Sequence, residues 1–265
     1  MYAPIKKILP KFSNYPFYQK KIVESLHLKT DNCVVEIGPG KGALTQHLIK
    51  SEAQRIMVIE IDPRMVETLQ EKFQDQIEII NQDVLKVDFC RLSCGKRLKV
   101  VGNLPYHITS PILFHLIDYH RCIEQAVLMT QKEVARRVCA KPGSKDYGIL
   151  SVITQAYAQV EYLFEIKRGN FFPVPAVDSA LISVLFFRQV EGIANLELFR
   201  KIVRSAFNYR RKTLKNCLSR IFEEKVLNSL DQSFLKKRPE QLTVEDFKHI
   251  TNLIDKALRD ETNRH

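Results

Sequence analysis

"VVEIGPGKGALT", running from Val34 to Thr45, holds the key to the fold. An apolar run reads as a short buried strand, three glycines follow at alternate positions, and helical spacing begins at once. Close glycine spacing between a strand and a helix lets backbone N–H groups and the helix N-terminus approach a ligand without Cβ interference. Gly38, Gly40 and Ala43 fit the dinucleotide fingerprint loosely, and Gly38, Gly40 and Gly42 fit the tighter G-x-G-x-G form. A turn that merely needs positive φ would select the same residues. The neighbouring segments therefore have to choose between these meanings.

Three further apolar runs look like short buried strands: "RIMVIEID" (Arg55 to Asp62), "IEIINQD" (Ile77 to Asp83) and "LKVVGN" (Leu98 to Asn103). Helical spacing in "ALTQHLIKS" and "PRMVETLQEKF" separates the first strands. This rhythm predicts an α/β fold with a parallel sheet covered by helices on both faces. "CIEQAVLMTQ", "YGILSVITQAYAQVEYLFEI" and "SALISVLFFR" continue as mixed strand and helix at the far edge of that sheet. After Arg188 only helical periodicity remains. The expected organisation is a sheet domain over residues 1–188 and a small all-helical domain over 189–265.

A chain of 265 residues suits one large domain plus one small one. Forty-one Lys and Arg against 30 Asp and Glu give a net charge of +11, which favours a polyanionic partner, nucleic acid or an anionic membrane. No signal peptide and no bilayer-length apolar run is evident. The six cysteines (Cys33, Cys90, Cys94, Cys122, Cys139 and Cys217) lack C-x-x-C pairing and metal spacing. They read as reduced thiols of a cytoplasmic protein without a metal site.

Glu60 lies 22 residues beyond Gly38 at the end of the second strand, where a carboxylate can accept hydrogen bonds from both ribose hydroxyls of a nucleoside. Asp83 repeats the position on the third strand, within reach of an adenine amino group. A nicotinamide dinucleotide and S-adenosylmethionine both fit to this point. The fourth strand end, Asn103-Leu104-Pro105-Tyr106, favours S-adenosylmethionine, because a dehydrogenase has no evident use for it. An adenine amine is a poor nucleophile, since its lone pair is delocalised. The Asn103 oxygen and the Leu104 or Pro105 carbonyl can accept its two hydrogens and aim its lone pair at a methyl donor. Tyr106 would stack on an extracted base, and Pro105 fixes the turn.

The helical part opens with Arg200, Lys201, Arg204, Arg210, Arg211, Lys212, Lys215 and Arg220 within 21 residues, interleaved with Phe207 and Tyr209. That pattern suits phosphate contact beside base stacking.

With these residues in place, the chain resembles the ribosomal RNA small-subunit adenine N6,N6-dimethyltransferases, the family of the kasugamycin-sensitivity methyltransferase. The similar segments run in family order: "VVEIGPGKGALT", "VIEID", "NQDVLKVDF", "VVGNLPYHITSPILFHL", "MTQKEVARRVCAKPGSKDYGILSV", "FFPVPAVDSALI", "SAFNYRRKTLKN" and "RPEQLTVEDF". The resemblance implies a Rossmann-like methyltransferase sheet with a helical C-terminal domain. It implies S-adenosyl-L-methionine as cofactor and small-subunit rRNA, or an immature 30S-type subunit, as partner, acted on by a monomer. The implied reaction dimethylates two adjacent adenosines near the 3′ end of that rRNA. Gly38, Gly40, Glu60, Asp83 and Asn103 would contact the cofactor or the target amine. Phe171 matches an aromatic held against the target base, although it can equally pack behind its turn. Arg210, Arg211 and Lys212 would touch RNA. Two other functions stay open: a ribosome-assembly factor without activity, and a large-subunit rRNA methyltransferase.

The chain departs from the family where a segment like F-G-Q-N-F-L usually closes over the cofactor. Phe12 keeps its aromatic place, whereas Leu9, Pro10, Lys11 and Ser13 replace the glycine, glutamine, asparagine and leucine. Ile149 and Ala176 stand where arginine and lysine are usual. These changes lead us to expect weakened cofactor affinity or an altered substrate.

Overall fold

The computed structural model describes residues 11–12, 16–93 and 95–262. Among these, two compact units emerge, one from the described residues up to 135 with residues 159–188, the other from residues 136–158 with the described residues from 189 onward.

The first unit is built on a seven-stranded sheet. Its strands are β1 (Cys33–Ile37), β2 (Arg55–Glu60), β3 (Glu78–Asn81), β4 (Leu98–Asn103), β5 (Ile123–Gln131), β6 (Ala158–Ile166) and β7 (Ser179–Phe186), in the order β3-β2-β1-β4-β5-β7-β6. Every residue of β1 is buried, as a strand with helices packed on both faces requires. The helices α1 (Pro16–Glu24), α2 (Thr45–Leu48), α3 (Pro63–Phe73), α4 (Phe89–Leu92) and α5 (Thr109–Asp118) lie between or before the first five strands. Helix α3 starts where the sequence predicts: the Asp62 carboxylate caps the Arg64 N–H and Pro63 occupies the first turn. It buries Leu69 and Phe73, one helical turn apart.

Strands β1 to β5 pair in parallel. Strand β7, in contrast, runs antiparallel to β5, so the sheet is mixed rather than wholly parallel. The chain between β6 and β7 holds only one 3-10 turn and a two-residue bridge, and without a crossover helix a strand does not return parallel. That bridge joins Phe171 and Phe172 to the backbone of Lys11 and Phe12. Leu9, Pro10 and Ser13 lie outside the described residues.

The second unit contains α7 (Ile149–Tyr157), α8 (Leu196–Asn208), α9 (Leu214–Leu218), α10 (Glu224–Leu227), α11 (Gln232–Lys236) and α12 (Val244–Thr262). Helix α6 (Lys132–Cys139) ends in it. One crossing into this unit falls at Gln189. The unit also takes in Arg136–Ala158, because Tyr147 meets Phe207 edge to face and the Gly143 N–H donates to the Glu240 carbonyl.

Cys90 and Cys122 form a disulfide with Cα atoms 5.2 Å apart, so the reading of all six cysteines as reduced thiols does not hold for this pair. Their separation of 32 residues carries no pairing motif. Cys33, Cys139 and Cys217 are free, and Cys94 lies outside the described residues. Among the described residues, no helix is long and apolar enough to cross a membrane. Nor is any group of three His, Cys, Asp or Glu residues placed to hold a metal ion.

Candidate active site

The strand order reverses at β1: β2 and β3 extend to one side, and β4 and β5 to the other. Such a switch point opens a crevice at the C-terminal strand ends. Pairing aligns Ile37 with Ile59 and with Gly102, and Glu60 with Asn81. The elements ending in Asp83, Glu60, Gly38 and Asn103 therefore line one edge over three strand spacings, roughly 14 Å. That span suits an adenosine-bearing ligand laid across the strands.

The three glycines differ in what they do. Gly38 and Gly40 have φ of +67° and +55°, and a Cβ on either would enter open space. Gly42 has φ of +76°, and a Cβ there would lie 2.2 Å from the Phe73 ring. The first two leave a cradle for a ligand, while the third lets α3 pack closely. This cradle, flanked by a carboxylate, fits the adenosine and methionine parts of S-adenosylmethionine.

Glu60 is 8% exposed and already oriented. One carboxylate oxygen accepts from the Asp62 N–H at 2.9 Å, the other from the Gly40 N–H at 3.2 Å. Each oxygen keeps a second lone pair for a ribose hydroxyl. The Asn81 amide donates to the Glu60 carbonyl at 2.8 Å, tying β3 to the same corner. Asp83 is half-buried and caps the following turn, accepting from the Leu85 N–H at 3.0 Å.

Sequence reading missed Glu36. This buried residue of β1 accepts from the Thr45 hydroxyl at 2.6 Å. Burial pushes its carboxyl up to about 7; the Thr45 hydrogen bond opposes the rise and the nearby Glu60 charge adds to it. Its signal was a carboxylate in an otherwise apolar strand.

At the end of β4, the Leu104 N–H donates to the Met129 carbonyl at 3.0 Å, which fixes the turn to β5. The Pro105 carbonyl accepts twice, from the Ile108 N–H at 3.1 Å and from the Thr109 hydroxyl at 3.1 Å. No hydrogen bond among the described residues reaches the Leu104 carbonyl. Of the two main-chain acceptors considered for an amine, the buried Leu104 is therefore the one whose carbonyl keeps its lone pairs uncommitted among the described residues. The half-buried Tyr106 is anchored through its hydroxyl, 2.9 Å from the buried Ser179 Oγ at the start of β7. Ser179 carries no recognisable signal of this role in the sequence.

Two expected contacts are corrected. Phe171 is 2% exposed within the apolar core, whereas Phe172 is 75% exposed. Side chains alternate across an extended segment, so only one of two adjacent aromatics can face outward. The packed placement is the one Phe171 takes. In the second unit, Arg210 does not project like its neighbours. Its guanidinium donates to Glu240 Oε2 at 2.8 Å, to the Lys145 carbonyl at 2.7 Å and to the Ser144 carbonyl at 3.1 Å. Arg211 and Lys212 are exposed. Ala176 is exposed too, and its carbonyl accepts from Arg168 at 3.4 Å, so a cation lies beside the position where lysine is usual.

Comparison with known proteins gives a consistent picture. The model of the ribosomal RNA adenine dimethylase family matches residues 9–256. The ribosomal RNA small subunit methyltransferase A of Coxiella burnetii (strain RSA 493 / Nine Mile phase I) is 40% identical, over 94% of this chain and 97% of its own. Its counterpart in Chlorobium chlorochromatii (strain CaD3) is 42% identical, over 95% and 94%. Among solved structures, a dimethyladenosine transferase from Plasmodium falciparum superposes with a TM-score of 0.80 at 25% identity, covering 93% of this chain and 98% of that one. The 23S rRNA methyltransferase ErmE superposes with a TM-score of 0.68 at 28% identity, over 92% and 100%. With the glycine cradle, the oriented carboxylate and the Asn-Leu-Pro-Tyr turn in one crevice, and a family match across nearly the whole length, the chain belongs to the ribosomal RNA adenine dimethylase family and is a methyltransferase of it.

Proposed function

We propose that the protein dimethylates the N6 amines of two adjacent adenosines near the 3′ end of small-subunit rRNA, using S-adenosylmethionine, during ribosome biogenesis in the cytoplasm. The observation that carries this reading is the turn after β4. There Asn103 stands beside a Leu104 carbonyl that no described group engages, while the Pro105 carbonyl is occupied twice.

When bound, S-adenosylmethionine supplies an electrophilic methyl group on a sulfonium. Gly38 and Gly40 leave room for it, Glu60 holds the ribose hydroxyls, and Asp83 meets the adenine edge. Tyr106, steadied by Ser179, stacks on the target base, which must leave its helix to be reached. The Asn103 side-chain oxygen and the Leu104 carbonyl accept the two amine hydrogens. Held this way, the nitrogen would be more tetrahedral, with its lone pair turned into the crevice. The cofactor would supply the methyl, its C–S bond breaking as the C–N bond forms; the sulfur would leave as a neutral thioether, and a proton would pass to solvent. No strong base is needed, so positioning and local electrostatics provide the rate. Arg211 and Lys212 meet phosphates of the RNA.

Forty per cent identity to proteins named for the small subunit, against 28% to ErmE, supports the small-subunit assignment. Incubating undermethylated small subunits with labelled S-adenosylmethionine tests it. Label should enter small-subunit rRNA and not large-subunit rRNA. Tight subunit binding without incorporation would replace the enzyme with an assembly factor.

A further inference from the structure

The amphipathic helix α8 buries Leu198, Phe199, Ile202, Val203 and Ala206. At about 100° per residue, the outward Arg200, Lys201, Arg204 and Asn208 fall within roughly one third of its circumference. Together with Tyr209 and Arg220 they line a groove of about 650 Å³, in which Glu197 is the sole anion among the lining residues.

Three of the four cations of this groove rest on aromatic rings. The Arg200 guanidinium lies 5.1 Å from the Tyr157 ring centre, and its Nε donates to the Tyr157 hydroxyl at 3.2 Å. Lys201 Nζ lies 5.6 Å from the Phe222 ring. The Arg220 guanidinium lies 4.1 Å from the Tyr209 ring, and Tyr209 is 41% exposed. Charges held this way lose less side-chain freedom when they meet an anion. An exposed tyrosine paired with a guanidinium also offers a flat face to a nucleobase.

We propose that this groove binds an unpaired stretch of the RNA substrate. Arg200, Lys201 and Arg204 take successive phosphates, and the Tyr209–Arg220 pair takes one base. A duplex could satisfy the charges but would keep its bases from the ring, so the stacked pair selects single-stranded RNA. The groove lies wholly within the helical unit and is separate from Arg210, which holds that unit's own loop. The proposal rests on the reading of the chain as an RNA-modifying enzyme and adds a second contact remote from the methylated base.

Fluorescence anisotropy with the full chain, without cofactor, tests it on a labelled single-stranded RNA and on a hairpin of equal length. Tyr209→Ala should weaken the single strand about tenfold and leave the hairpin within about twofold, while Tyr209→Phe should bind like the unsubstituted protein. The pair Lys201→Ala and Arg204→Ala should flatten the dependence of log affinity on log salt by about 1.4. Unchanged unfolding midpoints would show that these variants fold. Equal losses on both RNAs for Tyr209→Ala, or an unchanged salt slope, would overturn the proposal. So would losses seen only with protein-bearing subunits, because the groove would then face protein. Asn103→Ala should bind both RNAs normally, so failure of methyl transfer and failure of the groove are distinguishable.

Discussion

Glu36 and Gly42 show how single residues shape the site from behind. Glu36 is 2% exposed, and burial raises its carboxyl from the ordinary 4.5 to about 7 in the folded chain. The folded state then holds a proton that the unfolded chain releases, so the contribution of Glu36 to stability is greatest below pH 4.5 and falls as pH rises to about 7. The loss should approach about 3 kcal/mol. Urea unfolding of Glu36→Gln across that window should lack this fall, and an unaltered profile would show that another group is responsible. Gly42→Ala places a methyl against Phe73 at positive φ and should cost about 3 kcal/mol in urea unfolding. Gly40→Ala meets no atom, so it should lose only about 1 kcal/mol. It should still weaken S-adenosylmethionine binding in calorimetry, because its methyl fills the cradle.

The β-α-β elements were legible because each of the first four strands carries an apolar run and each ends on a polar or glycine signal. "VVEIGPG" and "VVGNLPY" pointed to the crevice only together with Glu60 and Asp83 at the intervening strand ends. What the sequence hid was the set of long-range partners. Nothing near Tyr106 announces Ser179, 73 residues away, and nothing in "NYRRKTL" separates Arg210 from Arg211. A run of charges looks the same whether its members face solvent or bind a loop. The two arginines therefore make an element-scale test. Arg210→Ala removes three hydrogen bonds to residues 144, 145 and 240 and should lower stability by about 2 kcal/mol in urea unfolding. Arg211→Ala should leave stability within about 0.5 kcal/mol yet weaken RNA binding and reduce its salt slope. The reverse pattern would exchange their roles. Likewise, period-two alternation fixes that one of Phe171 and Phe172 faces out, but only the packing of the core chooses which.

At the scale of the whole molecule, the basic residues concentrate in the helical unit while the crevice is lined by Glu60, Asp83 and neutral groups. This division suits a protein that grips a polyanion with one unit and performs chemistry on a base with the other. The sequence placed the change of character after Arg188. It did not show that residues 136–158 belong with the helices, because that membership comes from contacts such as Tyr147 with Phe207 rather than from composition. If Asn103 and the Leu104 carbonyl hold the amine for attack, the product of methyl transfer depends on them. Nucleoside mass analysis of small-subunit rRNA, treated with the protein and S-adenosylmethionine, measures that dependence. The unsubstituted chain should yield N6,N6-dimethyladenosine, and Asn103→Ala should yield at least about 100-fold less per unit time while binding RNA equally well. Undiminished dimethyladenosine from Asn103→Ala would contradict it.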